Sequence, residues 1–146
     1  MSQREKLLAV VDDDLQQDLG DYLALRELMQ ALYGHLLERD APEIERANLQ
    51  ISHRVEALFA RAGRRSKVLA AFGLEATTSG MQRLLAVSSG ERGDSLQRHW
   101  QQVGELAQQC QALNECNGKL LAMHHEILQQ LLGSNQGAQL YTHQAY

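Results

Sequence analysis

The sequence predicts an all-α protein: an elongated antiparallel helical bundle of three long helices and one short helix, with left-handed, coiled-coil-like packing. Three observations favour this fold. Only 5% of the residues are aromatic and one is proline, and the apolar residues are mostly leucine, alanine, valine and methionine, which suit helices better than strands. Apolar residues recur every seven positions near both ends of the chain. The 146 residues suffice for one continuous core.

The first helix is predicted to start at Ser2 and to run to about Arg39. Ser2 is followed three residues later by Glu5, which is the spacing of a capping box. Gly20 falls opposite the apolar face, so we expect the helix to continue through it. Two neighbouring rows form the predicted core face: Leu8, Leu15, Tyr22, Met29 and Leu36, with Val11, Leu25 and Leu32.

The second helix is predicted to begin after the capping box of Asp40 and Glu43, with Pro42 in its first turn. It should end where Gly73 can adopt the left-handed conformation of a C-cap. Its predicted core residues are Ile44, Ile51, Val55, Leu58, Ala62, Leu69 and Phe72.

The third helix is short, from about Gly80 to Val87, and is predicted to be capped by Ser79 with Gln82. Segments 73–78 and 88–93 flank it, and their glycine and serine content favours flexible linkers. The fourth helix is predicted from about Ser95 to Leu132, after a capping box of Asp94 with Gln97.

The fourth helix contains an Asn-Gly pair, Asn117-Gly118, which is ordinarily a turn signal. Apolar rows continue on both sides of the pair, so we expect the helix to run through it. Cys110 and Cys116 would then lie ~9 Å apart on one helix, too far for an unstrained disulfide, so both should be reduced. The two rows are Leu96, Val103, Cys110, Asn117, His124 and Leu131, and Leu106, Leu113, Leu120 and Ile127.

The predicted domain boundary follows Gly133. Residues 1–133 form the bundle, and residues 134–146 form a flexible C-terminal tail that carries Tyr141. A net charge of -4 argues against nucleic-acid binding. No apolar run approaches the ~20 residues that cross a bilayer, and the charged N-terminus is unlike a signal peptide, so we expect a cytoplasmic protein without membrane insertion.

No catalytic residue, metal site or cofactor is predicted, and the chain is not expected to be an enzyme. His124 and His125 are adjacent on a helix and diverge by ~100°, so they cannot face one metal ion. Acidic residues 12–14 and a basic cluster on the second helix are expected to be solvated faces, although the basic cluster could instead dock an acidic partner. The basic cluster comprises Arg61, Arg64, Arg65 and Lys67.

The apolar stripe of the fourth helix widens near its end, beyond the narrow seam that a bundle needs. The third helix or a second copy of the chain could cover this surface. Alternatively, it is a groove for the amphipathic helix of a partner. The candidate cargo-binding residues are Leu120, Leu121, Met123, Ile127, Leu128, Leu131 and Leu132.

The motif Asn117-Gly118-Lys119-Leu120-Leu121, the run 127–133 and the tail pair Leu140-Tyr141 together resemble the C-terminal part of the FlgN family of flagellar export chaperones. The resemblance implies a cytoplasmic chaperone that binds the C-terminal helical segments of the two hook-associated proteins of the hook-filament junction. Such a chaperone prevents premature assembly and delivers its cargo to the type III export gate.

The resemblance also implies that Tyr141 contacts the cytoplasmic domain of the export gate and that the export ATPase is a further partner. An alternative needs no transported client. The same stripe could make the chain a self-associating structural coiled-coil or adaptor module, because polar residues at core positions, here Asn117 and His124, often fix register or oligomeric state.

Overall fold

The computed structural model of the protein describes residues 2–133, so the predicted tail and its Tyr141 lie outside the described residues. Four helices follow one another: α1 (Gln3–Glu38), α2 (Ala41–Ala71), α3 (Thr78–Val87) and α4 (Gly90–Gly133). Residues 2–133 contain no strand. The predicted all-α bundle of three long helices and one short helix is confirmed.

The helix α1 lies at the centre of the bundle and packs along both α2 and α4. The turn to α2 is tight because Arg39 adopts the left-handed conformation with φ 56°, so α2 returns antiparallel to α1. The helix α4 runs parallel to α1. The Arg26 guanidinium donates to Gln109 at 2.8 Å, and the Asn117 amide donates to the Met29 carbonyl at 3.0 Å, further along both helices.

Two of the four predicted capping boxes mark true helix starts. The Ser2 hydroxyl accepts a hydrogen bond from the Glu5 amide at 3.1 Å, and the Asp40 carboxylate accepts one from the Glu43 amide at 3.4 Å. The prediction for α3 was wrong by two residues. Its cap is Thr77, whose hydroxyl accepts from the Gly80 amide at 3.1 Å.

The predicted start of α4 was also wrong, because this helix begins at Gly90 and Asp94 lies inside it. Glycines in segment 88–93 suggested a flexible linker. Gly90 instead has φ 70°, which lets the chain turn sharply into α4. A Cβ atom on Gly93 would lie 2.7 Å from the Ser88 carbonyl oxygen, so this glycine permits close packing of the turn.

The core has three clusters, and the one at the α3 end is the largest. The predicted core residues of α1 are all buried except Tyr22, which is half-buried against it. Val55, predicted to be a core residue of α2, is exposed. The α3-end cluster comprises Leu8, Val11, Leu15, Val68, Leu69, Met81, Leu84, Leu85, Leu96 and Val103; the middle one Leu25, Met29 and Cys110; and that at the far end Leu32, Leu36, Ala47 and Leu120.

Ion pairs join α1 to α2, which contradicts the expected solvated faces. The buried Arg61 guanidinium donates to Asp18 at 2.5 Å and also to Asp21. Arg64 makes a two-pronged pair with Asp14, at 2.6 and 2.7 Å. The remaining links are Arg65 to Asp18 at 3.0 Å and Arg54 to Asp21 at 2.7 Å, while Lys67 is exposed. Most of the predicted basic docking cluster therefore serves the fold.

A second polar cluster joins α1 to the start of α4. Asp12, expected on a solvated face, is buried and lies 2.6 Å from His99 Nδ1. Ser95 and Arg92 each donate to its other carboxylate oxygen at 2.8 Å. Burial alone would raise the pKa of Asp12, but these hydrogen bonds outweigh it and lower the pKa.

Candidate functional site

The helix α4 extends past the corner where α1 turns into α2. Asn117 lies level with Met29, because its amide donates to the Met29 carbonyl. Since α1 ends at Glu38, nine residues after Met29, the matching level on α4 is near Glu126. The remaining residues to Gly133 give α4 about two turns beyond the corner.

A groove of about 200 Å³ lies between this corner and the end of α4. Its lining is predominantly apolar, with Arg39 and His124 as the two groups that can carry positive charge. Leu36 forms part of its floor and is buried, whereas the α4 residues along its wall are progressively more exposed. The lining residues are Leu36, Arg39, Ala41, Ile44, Leu121, His124, Ile127, Leu128 and Leu131.

The structure divides the seven candidate cargo-binding residues into three groups. Four of them, Leu121, Ile127, Leu128 and Leu131, line the groove. Leu120 is only 8% exposed and packs with Leu32, Leu36 and Ala47, so it belongs to the bundle core and is closed to a partner in this fold. Met123, 52% exposed, and the half-buried Leu132 lie outside the groove lining.

The corner half of the groove was missed at the sequence level. Leu36, Arg39, Ala41 and Ile44 come from the end of α1 and the start of α2. One available signal was that the heptad row of α1 stops at Leu36, whereas the apolar stripe of α4 continues for about three more turns past its partner Leu120. Apolar residues beyond the end of a neighbouring helix mark a surface that the neighbour cannot cover.

The family-motif residues Asn117, Gly118 and Lys119 lie on α4 just before the groove. Asn117 is buried and hydrogen-bonded to α1, while Gly118 and Lys119 are exposed. The Asn117 Oδ1 atom has no hydrogen-bond partner in the described structure. One buried amide that bonds the facing backbone favours one alignment of α4 on α1 over a slipped one.

The spacing of the groove residues suits a helical ligand. Leu121, Leu128 and Leu131 lie on one side of α4, because they are separated by seven and three residues. A partner helix with its own apolar stripe could bury these side chains, at about 0.8 kcal/mol for each buried CH₂ group. The exposed Arg39 at the rim would remain hydrated or meet a partner carboxylate.

The structure was also compared with the requirements of a metal site, a membrane span and a disulfide. Within residues 2–133, no group of three or more histidine, cysteine, aspartate or glutamate side chains is placed to hold a metal ion. None of the four helices, over that same range, has the length and apolar character needed to cross a bilayer. Cys110 is buried and Cys116 exposed, both as free thiols as predicted.

The fold and the site define the chain as an elongated helical bundle with an apolar groove open at one end. Comparison with known families makes the assignment specific. Residues 3–144 match the model of the family described as FlgN protein, so the chain belongs to the FlgN family, as its C-terminal motif predicted. No curated protein and no solved structure matches the chain.

The family assignment carries a role with it. FlgN proteins are flagellar export chaperones, they are not known as enzymes, and they bind flagellar hook-associated proteins in the cytoplasm. The open groove is the apolar surface of this chain that a test of such binding should target.

Proposed function

We propose that the groove holds the C-terminal helical segment of a hook-associated protein of the hook-filament junction, keeps that segment from assembling early, and presents the cargo to the type III export gate. The single observation that carries this proposal is an apolar groove at the end of α4 in a FlgN-family chain. The mechanism is stoichiometric binding, with release at the gate.

Two features of the groove support capture of a helix. Its α4 wall is more exposed than a monomer's core would be, with Leu131 68% accessible, so a partner can remove apolar surface from water. Its floor and opposite wall are fixed by the α1–α2 corner, where Leu36 is fully packed. A preformed wall lowers the conformational entropy lost on binding.

The first test removes the groove anchors. Leu121→Ala combined with Leu128→Ala should weaken binding of a C-terminal fragment of a hook-associated protein by about 2–4 kcal/mol, the range of central interface residues. Isothermal titration calorimetry measures this loss. Leu49→Ala is the matched control, because Leu49 is an exposed leucine on α2 away from the groove. Equal affinities for the double variant and the parent would exclude the groove as the binding site.

Delivery is proposed to use Tyr141, because the family resemblance implies a contact between this tyrosine and the cytoplasmic domain of the export gate. Tyr141→Ala should fold normally and keep its cargo complex, yet lose the gate domain in a pull-down and support less secretion. If this variant binds the gate domain as well as the parent does, Tyr141 does not contact the gate and the proposed role in delivery is wrong. The export ATPase is proposed as a further partner, to be examined in the same pull-down.

Self-association without a client is the second candidate. It is favoured by the exposed groove wall, which a second copy could cover. Light scattering separates the two candidates. A chaperone should be a monomer, or a weak dimer that cargo dissociates, whereas a structural module should form a stable oligomer that cargo leaves unchanged.

A further inference from the structure

The bundle has an open furrow between α2 and α4. Over residues 2–133, Cα atoms of α1 come within 8 Å of both of these helices, but no Cα atom of α2 comes that close to α4. Two helices packed directly on each other have axes 8–10 Å apart and bring their backbones closer than this at the crossing. The backbones of α2 and α4 therefore do not pack directly against each other, and α1 lies between them as the floor of the furrow.

One row of α4 residues forms a wall of this furrow, with spacings that alternate between four and three. At one end, the Arg65 guanidinium of α2 lies 5.7 Å from the centre of the Trp100 ring. At the other end, Leu121 shares the groove with Ala41 and Ile44 of α2. Because both ends face α2, the two residues at the same heptad phase between them, Ala107 and Asn114, face it too. The exposed residues one turn after Trp100, Ala107 and Asn114 lie about 50° further round α4, at the outer edge of this wall. The row is Trp100, Gly104, Ala107, Gln111, Asn114, Gly118 and Leu121.

Between its two ends, this α4 wall is uncharged, and three of its five residues are glycine or alanine. A Cβ atom added to Gly104 or to Gly118 would meet nothing within 4 Å, so neither glycine is there to let α2 approach. Glycine in a helix interior costs about 1 kcal/mol relative to alanine. Gly20, Gly34 and Gly63 are equally open, so open glycines are not special to this wall. At Gly104 and Gly118 the open space borders the furrow, where a further helix would use it.

The α2 wall of the furrow carries the most exposed large apolar side chain of the described structure. Phe59 is 80% exposed, and Val55 one turn before it is also exposed. Phe59 follows Ala41 by eighteen residues, which is five turns of 3.6 residues, so the two lie on the same side of α2. Since Ala41 lines the groove, Phe59 and Val55 lie on the groove side of α2, with the polar Asn48 and Ser52 between them and Ala41.

We infer that the furrow extends the groove and that the helix of the bound partner lies along it, beside the three long helices, with Phe59 as a second anchor. This inference rests on the proposed function and sharpens it by stating the ligand. The partner segment is one continuous amphipathic helix of about 18 residues, because the rise from Ala41 to Phe59 is about 27 Å at 1.5 Å per residue. The Arg65–Trp100 contact closes the far end.

Two substitutions test the furrow without removing a core residue. Phe59→Ala should weaken binding of a C-terminal fragment of a hook-associated protein about 30-fold, as for a central aromatic anchor. Gly104→Leu should keep or raise the thermal midpoint, because leucine is a better helix former and its side chain meets open space. It should nonetheless weaken binding about 10-fold by filling the furrow.

Matched controls place the same substitutions elsewhere. Leu49→Ala truncates another exposed apolar residue of α2, and Gly20→Leu fills open space beside an exposed glycine of α1. Both should change affinity by less than about twofold, the range of surface substitutions away from a binding site. Circular dichroism melts of all four variants check that the fold is kept.

Peptide length gives a second readout that a change in stability would not move. A cargo peptide of about 18 residues should lose affinity on Phe59→Ala, whereas one of about 9 residues, which fills only the groove, should bind parent and variant alike. The furrow is ruled out if Phe59→Ala and Gly104→Leu bind as the parent does while Leu128→Ala does not; the proposed function then stands.

Two further outcomes also decide the inference. If the parent captures no cargo fragment at all, the proposed function and the inference fall together. If sedimentation shows a parent dimer that Phe59→Ala or Gly104→Leu dissociates, the furrow holds a second copy of this chain, and the partner helix assigned to it is wrong.

Discussion

The two ends of the bundle differ in how much of their apolar surface is covered. At the α3 end, four helices enclose one continuous core that includes the fully buried Leu15, Leu84 and Leu96. At the other end, the core shrinks to a few residues around Leu36 and Leu120, and α4 continues beyond it with its apolar stripe exposed. The difference indicates that stability is concentrated at the closed end, which leaves the open end free to bind.

Electrostatics sharpen the same contrast. Every interhelical ion pair with a buried aspartate lies at the middle of the bundle or nearer α3, on Asp12, Asp14, Asp18 or Asp21. The described ion pairs at the open corner instead join the partly exposed Glu43 to Arg46 and His35. Partly exposed pairs are screened by solvent and contribute little, so a partner could rearrange this corner at small cost.

The largest effect is expected from the closed half. Arg61→Ala should destabilise the fold by about 3–5 kcal/mol, because it leaves the buried Asp18 and Asp21 without a shared partner. Urea denaturation measures this loss. Arg46→Ala, at the open corner, is the control and should change stability by less than about 0.5 kcal/mol. Similar losses in both variants would remove the contrast between the two halves.

A second pair of variants compares apolar side chains at the two ends. Leu84→Ala should cost about 2–5 kcal/mol, since Leu84 is fully buried between α3 and the long helices. Met123→Ala should cost less than about 0.5 kcal/mol, since Met123 is exposed. Thermal and urea midpoints give both values. A large loss for Met123→Ala would mean that the open end is structural.

A smaller effect on folding stability is expected at acid pH, through Asp12. The pKa of Asp12 is lowered in the folded protein from its usual value of 3.8. Its hydrogen bonds therefore contribute stability that is complete above about pH 5 and is lost as the pH falls through the lower, folded value. The stability gap between the parent and Asp12→Asn should therefore narrow below about pH 4. Asp13→Asn, at an exposed neighbour, is the control measured over the same pH range.

The heptad pattern predicted the helices well because apolar periodicity reports which face of a helix is covered. It was less informative about how far a neighbouring helix reaches. Val55 has the right spacing for the core of α2, but α4 does not approach α2 there, so the residue is exposed. For the same reason, Leu120 is among the candidate cargo-binding residues predicted from the sequence, although side chains of α1 and α2 bury it.

The ion pairs between α1 and α2 were missed because each charged row was considered on its own helix. Asp14, Asp18 and Asp21 recur at four and three residues, and the arginines of α2 recur at matching heptad spacings. Opposite charges on facing rows of antiparallel helices would have predicted the seam. The corner half of the groove needed the alignment of α4 on α1, which depends on one tertiary hydrogen bond from Asn117.

Hydrogen–deuterium exchange of the protein, alone and with a C-terminal fragment of a hook-associated protein, tests most directly whether the open end binds while the closed end holds the fold. The account predicts slower exchange on binding in residues 121–132 of α4 and 36–48 of the α1–α2 corner, with exchange in the α3 end, residues 78–96, unchanged. Protection confined to residues 78–96 would contradict the division between a stable end and a binding end.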